Sequence, residues 1–522
     1  MLFWILGGVA LALVAVAIYD LTQHKHAILR NYPVVGHLRY LLESVGPELR
    51  QYIVTDNDEE RPFSRDQRRW VYASAKKQNN YFGFGTDNDP EMSPSYLVIK
   101  PAVFPYPEPQ VGDEDYDGNH PIACSKILGG ARGRAKAFRP ESVFYVSAMS
   151  FGSLSGAAVE AINRGVHLAG GLHNTGEGGV ARYHDNGGEL IWQLGTGYFG
   201  ARDEEGNFSM EEVLARVEKY DIRAIELKLS QGAKPGRGGV LPAEKISAEI
   251  ASIRGIPMGK DCISPAGHSE FHDVDSLLDF VESIADATGL PVGIKSAVGE
   301  LKFWEDLADE MAKGERGVDF IAIDGGEGGT GAAPLVFADH VALPFKVGFS
   351  RVYQIFSKRG ITDDIVFMGT GRLGFPEASL LGFAMGLDMV GVAREAMLAI
   401  GCIQAQRCHT GHCPAGVATQ NKWLMRGLDP TDKGARMGNY LITLRKEVMW
   451  LTRAVGRSHP ALISLDDFEI LDENYGARSP REVFGYPDEI IEVPDDVELP
   501  AEAVSDVEEV ESETEDPRVE VV

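Results

Sequence analysis

An α/β fold built as a parallel (β/α)8 TIM barrel is what this 522-residue sequence predicts, on three observations. Between about 141 and 400, eight short apolar runs end in glycines and alternate with helix-like stretches of twelve or more residues, the pattern of βα repetition. The intervening stretches are amphipathic: in VDSLLDFVESIADATGL, Leu277, Phe280, Val281 and Ile284 share one face and Gly289 supplies the stop. The unusual residues gather in the loops that follow the runs, where barrels carry their chemistry. A doubly wound sheet is the competing architecture.

Taken in order, residues 1–20 come first. MLFWILGGVALALVAVAIY bears no side-chain charge and is long enough for the hydrocarbon core of a bilayer, which predicts a transmembrane helix. A cleaved signal peptide is the rival, since Ala15-Val16-Ala17 fits a small-x-small site, but a basic n-region is missing. Lys25, His26 and Arg30 follow the span and nothing basic precedes it, which predicts a single-pass cell-membrane protein with its body in the cytoplasm. Residues 21–140 read as a cap or linker region, polar and aromatic in RPFSRDQRRWVYASAKKQNNYFGFGTDND, with no repeat or motif.

The barrel domain is expected over 141–425. Its strand candidates are Val143–Met149, Leu172–Asn174, Leu190–Leu194, Ala224–Leu229, Val292–Ser296, Phe320–Asp324, Ile365–Met368 and Met389–Ala393. An extension follows over 426–486, and then an acidic tail over 487–522. From Asp488 to Glu520 there are fifteen Asp or Glu against the single Arg518, about half of the net charge of −27. Such a segment buries too little apolar area to offset its ordering entropy and reads as disordered. The overall charge repels polyphosphate and excludes non-specific nucleic-acid binding.

The loops carry the chemistry. GGEGGTG at 325–331 contains a literal G-x-G-x-x-G after an apolar strand, but Pro344 interrupts the helix that a dinucleotide fold needs and the acidic residue about twenty positions on is lacking. A phosphate site fits better in MGTGRLGFPEASLLGFAMGLDMVGVAREAM, where two Gly-rich strand ends bear Arg372 and Arg394 and correspond to the seventh and eighth barrel loops. Glycines that merely make tight turns are the structural alternative. Lys295 in VGIKSAVG sits inside an apolar strand, which is costly unless a negative partner meets it, either a reduced flavin ring or a buried ion pair.

Three of the five cysteines fall within CIQAQRCHTGHC, which is no disulfide framework and points to a reducing compartment. Cys124 and Cys262 read as ordinary core or loop thiols. Thiolates at these spacings, with a proline after the last, suit an iron–sulfur cluster. Zinc with His409 or His412 and unliganded thiols are the alternatives, although the C-x2-C steps of structural zinc sites are absent.

In SAMSFGSLSGAA, GAKPGRGGVLPAEKIS, GGTGAAP and GCIQAQRCHTGHCPAGVATQ, spanning about Ser147 to Gln420, the sequence resembles the FMN-binding synthase domain of the glutamate synthase large subunit. The resemblance implies an FMN-binding (β/α)8 barrel carrying a [3Fe-4S] cluster on Cys402, Cys408 and Cys413. It implies a flavin site formed by Met149 and Ser150, Gln231, Lys295 as the catalytic residue beside the pyrimidine ring, Gly325 and Gly326, and Gly371, Arg372, Gly391 and Arg394 about the phosphate. The reaction it implies is reductive amination of 2-oxoglutarate by ammonia to L-glutamate, with electrons from a ferredoxin or a separate NAD(P)H flavoprotein subunit.

The family's glutaminase domain, with its N-terminal cysteine, and its C-terminal β-helix have no counterpart among these residues. Arg237 stands where the family's AKPGRGG-like loop is expected to carry glutamate. Two other readings therefore stay open: a related FMN enzyme making a different, for instance N-alkylated, amino acid, and a non-enzymatic membrane electron-transfer subunit.

Overall fold

The computed structural model describes residues 2–52, 60–113, 116–472 and 476–487; the tail expected to be disordered, past its first residue, lies outside them. Eight parallel strands close into a barrel: β1 (Phe144–Val146), β2 (Leu172–Asn174), β3 (Glu189–Leu194), β4 (Ile222–Lys228), β5 (Val292–Ser296), β6 (Phe320–Asp324), β7 (Val366–Thr370) and β8 (Met389–Val392). They run in sequence order round the barrel, and β8 returns to β1 with Val390 opposite Phe144. That closure excludes the doubly wound sheet. Six of the eight strands are buried along their whole length, as near-continuous apolar runs require when helices cover one face and a packed lumen the other.

The lumen is a packed core of Tyr145, Leu172, Ile191, Ala224, Phe320 and Met368. Cys124 and Leu128 join it from the segment before β1. Leu128 and Phe138 exchange two backbone hydrogen bonds, Lys126 donates to Asp388 at 2.9 Å, and Arg134 pairs with both Asp319 and Glu282. Asp319 and Asp388 sit immediately before β6 and β8, so residues 122–140 plug the N-terminal end of the barrel. Bottom closure of this kind serves stability and leaves the C-terminal mouth free for chemistry.

Helix signals behave as the sequence chemistry requires. The helix Val274–Thr288 starts on an Asp273 capping box and ends on left-handed Gly289, with Leu277, Phe280, Val281 and Ile284 buried. Four further helices are α1 (Leu2–Thr22), α2 (Gly36–Tyr52), α3 (Arg65–Ala75) and α4 (Gly156–Ala169). The long α5 (Pro430–Ala454) packs against α4, where a side chain on Gly165 would collide with Met437. The extension is therefore part of the barrel's own coat. Its strand Phe468–Leu471 also pairs antiparallel with Tyr96–Ile99 from the cap region.

Between β4 and β5 the chain makes a long excursion, 229–291, with a small antiparallel pair, Val240–Leu241 against Cys262–Ile263, and the helix Ala248–Arg254. This excursion overhangs one side of the mouth.

Candidate active site

A cavity of about 1040 Å3 opens at the C-terminal ends of the strands. It is large for a single small-molecule site, which commonly occupies about 300–1,000 Å3. Met149, Ser150, Gln231, Lys295, Gly326, Gly371, Arg372, Gly391 and Arg394 all line it, as do Cys402, Cys408 and Cys413. Gly325 does not. It sits one residue behind the wall, donating its N–H to Thr370 O at 2.9 Å, and a Cβ there would come within 2.6 Å of Phe345 Cβ. Its small size serves packing.

At the β5 end, Lys295 is buried and its Nζ lies 3.5 Å from Asp324 Oδ2. Asp324 also accepts hydrogen bonds from Gly232 N and Thr370 Oγ1. Burial draws the lysine's pKa down, but the nearby charges of Asp324 and Glu226 outweigh it and hold the ammonium above its ordinary value of 10.5. The negative partner that a lysine in an apolar strand requires is thus supplied first by the protein itself. Glu226, on β4, is fully buried; its Oε1 accepts from Asn174 and Gln193, while Oε2 has no hydrogen-bond partner among the described residues.

A second polar group stands on the β2 and β4 ends. Lys228 donates to Glu177 and Gln231 at 2.8 and 2.7 Å, and Gln231 donates to Thr330 at 3.3 Å. Burial alone would raise the Glu177 pKa, yet Lys228 beside it brings the carboxyl below its ordinary value. Lys234 donates to Ala332 O, and its burial brings its pKa down to about 8. Sequence reading reached Gln231 and Lys295 but missed Glu177, Lys228, Asp324 and Glu226. The signal available was a charged residue placed in or straight after an apolar run, HNTGEGG, AIELK and FIAID.

The β7 and β8 ends carry the two arginines. Gly371 has φ +153° and Arg372 stands in the left-handed region at φ 55°, which for a non-glycine costs about 1–3 kcal/mol and is kept at functional sites. Arg394 donates to Glu327 O at 2.6 Å, and its guanidinium stacks 5.1 Å from the Phe63 ring centre. Neither arginine has a carboxylate within ion-pair distance among the described residues. Burial, reinforced by the like charge of Arg372, lowers the Arg394 pKa. Arg372 is exposed at the rim and Arg394 half-buried below it. Two guanidinium groups beside glycine turns are short of an anion, and a phosphate has the charge and geometry they lack.

The three cysteines edge the same cavity. Burial lifts the Cys402 thiol to about 12 and raises Cys408 as well, with Cys413 adding to both. Lys245 donates to the carbonyls of Ser153 and Cys408. His412 turns away, bonded to Thr410 O, and both His409 and His412 are exposed, so neither joins the thiols. Among the described residues no three His, Cys, Asp or Glu side chains stand close enough together to hold a metal ion. Cys402, Cys408 and Cys413 share the cavity lining.

Fold and site together define a closed parallel barrel whose C-terminal mouth holds a cavity lined by more cationic than acidic side chains. A sequence model of the family described as a conserved region in glutamate synthase matches residues 131–458. The glutamate synthase large subunit-like protein YerD of Bacillus subtilis (strain 168) is 38% identical over 489 residues, covering 88% of this chain and 93% of that protein. The archaeal glutamate synthase [NADPH] of Methanocaldococcus jannaschii is 35% identical over 315 residues, covering 60% of this chain and 58% of the archaeal protein's length. Among solved structures, a mutant flavocytochrome b2 with benzoylformate overlaps at a TM-score of 0.43 and 13% identity, over 78% of this chain and 79% of that one. The chain belongs to the glutamate synthase family and is an oxidoreductase of the class acting on CH–NH2 groups.

Proposed function

We propose that this chain reductively aminates 2-oxoglutarate to L-glutamate with ammonia, holding FMN in the barrel mouth and drawing electrons from an external donor. The observation that carries the reading is the meeting, in one cavity, of two arginines without carboxylate partners among the described residues and a buried, charged lysine. On this reading Arg372 and Arg394, with Gly371 and Gly391, hold the phosphate. Lys295 faces the pyrimidine edge of the ring, Met149, Ser150, Gln231 and Gly326 complete the flavin wall, and Gly325 sets the β6 loop from behind. Cys402, Cys408 and Cys413 are the ligands for a [3Fe-4S] cluster.

Bound FMN supplies the hydride that reduces the imine carbon. The chain's own groups do the rest. Ammonia adds to the ketone with loss of water, and the imine takes up a hydride and a proton to become the amine. The cationic lining, Lys228, Arg237 and Arg254 among it, suits the two carboxylates of the oxo acid. Lys295 remains protonated throughout, because Asp324 and Glu226 hold its charge, and it offsets negative charge at the pyrimidine edge.

Electrons come from a ferredoxin or a separate NAD(P)H-oxidising flavoprotein subunit. The apolar α1 followed by Lys25 and Arg30 supports a cell-membrane protein with its barrel on the cytoplasmic side. Arg237, in the loop over the mouth, favours testing primary alkylamines as a second nitrogen source. The experiment offers anaerobically reduced protein 2-oxoglutarate with 15N-ammonium or with methylammonium and reads products by mass spectrometry. 15N-glutamate upholds the reading, N-methylglutamate alone replaces it with the alkylamine one, and neither product overturns both.

A further inference from the structure

Over residues 36–44, α2 presents its leucines to solvent. Within it Arg39 pairs with Glu43, Tyr40 packs edge-on against His26, and the backbone carbonyl of Glu43 accepts from Arg65. Leu38 and Leu42 are exposed, Leu41 is 58% exposed, and Val35 just before the helix is 72% exposed. At positions 35, 38, 41 and 42 these form one stripe at helical spacing. Tyr32 and Trp423, which is 53% exposed, continue the patch. Contiguous exposed apolar surface of this kind marks an interaction site.

The patch is fixed to the end of the apolar span. Asp20, in the last turn of α1, accepts hydrogen bonds from Val34 N at 2.8 Å and from His37 Nε2 at 2.9 Å, so the first turn of α2 is tied to the level at which α1 ends. Asn31 then joins this level to the barrel: its Nδ2 donates to Pro414 O and Leu424 O, and its carbonyl accepts from the Trp423 indole N–H. Lys25 and Lys422 stand exposed beside the patch without ion-pair partners among the described residues, and the Arg426 guanidinium lies over the Trp423 ring. A stripe of leucines, an interfacial tryptophan and flanking cations form the pattern by which helices lie in a headgroup layer.

We propose that α2, with Val35 and Trp423, is a second membrane contact: it lies in the headgroup region of an anionic leaflet and seats the barrel on the bilayer surface. The inference rests on the reading of α1 as a membrane span, which places the leaflet at the level of Asp20. Bilayer lipid is the occupant because the stripe is continuous with α1 through Asp20 and its border is cationic. The seat also fixes the cysteine segment, since Pro414, bonded to Asn31, directly follows Cys413.

The test places a photo-reactive diazirine side chain singly at Leu13, Leu41 or Glu305 in the full chain, reconstituted into nanodiscs of mixed phosphatidylcholine and phosphatidylglycerol. Glu305 is exposed on the helix after β5, across the barrel from β1. Lipid adducts are expected at positions 13 and 41, with none at 305. Adducts at 13 but not at 41, or cross-links from 41 to a second copy or another protein, overturn the seat and leave the span intact. Loss of the adduct at 13 with the adduct at 41 retained upholds the seat and removes the span; labelling at 305 equal to that at 41 overturns the seat.

Discussion

Lys295 keeps its charge inside the barrel because two carboxylates outweigh the cost of burying it. Lys295→Met leaves Asp324 buried opposite an apolar chain, and breaking a buried pair costs about 3–5 kcal/mol, readable by chemical denaturation. Glutamate formation should fall about a hundredfold, the size of loss that follows removal of one charge-stabilising group at a reacting centre. The arginines make a separable prediction. Arg372→Gln and Arg394→Gln should each weaken FMN retention about 10- to 100-fold, one charged hydrogen bond being worth about 1.5–3 kcal/mol, as measured by recovery of flavin fluorescence on dilution. Glu177 sets a pH dependence. Its carboxyl lies below the ordinary 4.5 in the folded protein, so its contribution to stability is present above about pH 4.5 and lost as pH falls through the folded value. The difference in Tm between the parent protein and Glu177→Gln should therefore shrink on acidification below pH 4.5. A constant difference would contradict the assignment.

At the level of elements, the strands were the legible part. Apolar runs ending in glycine located all eight, because strands buried on both faces leave a contiguous signal, and the barrel-end loops with Arg372, Arg394, Lys295 and the cysteines followed from them. What stayed hidden depends on tertiary partners. Asp324 and Glu226 sit inside strands as single acids, and nothing local says that they face Lys295. The plug at 122–140 has no periodicity because it is held by isolated pairings to Asp319 and Asp388. The strands Val240–Leu241 and Cys262–Ile263 are too short to show alternation. The cysteine segment gives a prediction at this scale: Cys402→Ser should abolish an iron EPR signal while leaving flavin absorbance in place, because the arginine cradle lies on other loops. Retention of the full iron signal would remove Cys402 from the ligand set.

Across the whole molecule, one barrel carries a plugged floor, a cationic mouth and, beside that mouth, the hydrogen-bonded knot that ends the apolar helix. The cap region and the extension are coats of the same barrel, joined by the sheet of Tyr96–Ile99 and Phe468–Leu471. If α1 spans the bilayer, the full chain should stay in the membrane fraction through high salt and alkaline carbonate, whereas an electrostatically bound protein would be released. What the mouth does with electrons is read most directly by flavin reoxidation. Anaerobically reduced protein is mixed rapidly with 2-oxoglutarate, with ammonium, or with both, and absorbance near the flavin band is followed. Fast reoxidation is expected only when both are present, with one glutamate formed per flavin reoxidised. Reoxidation indifferent to the oxo acid, or none with both present, would contradict it.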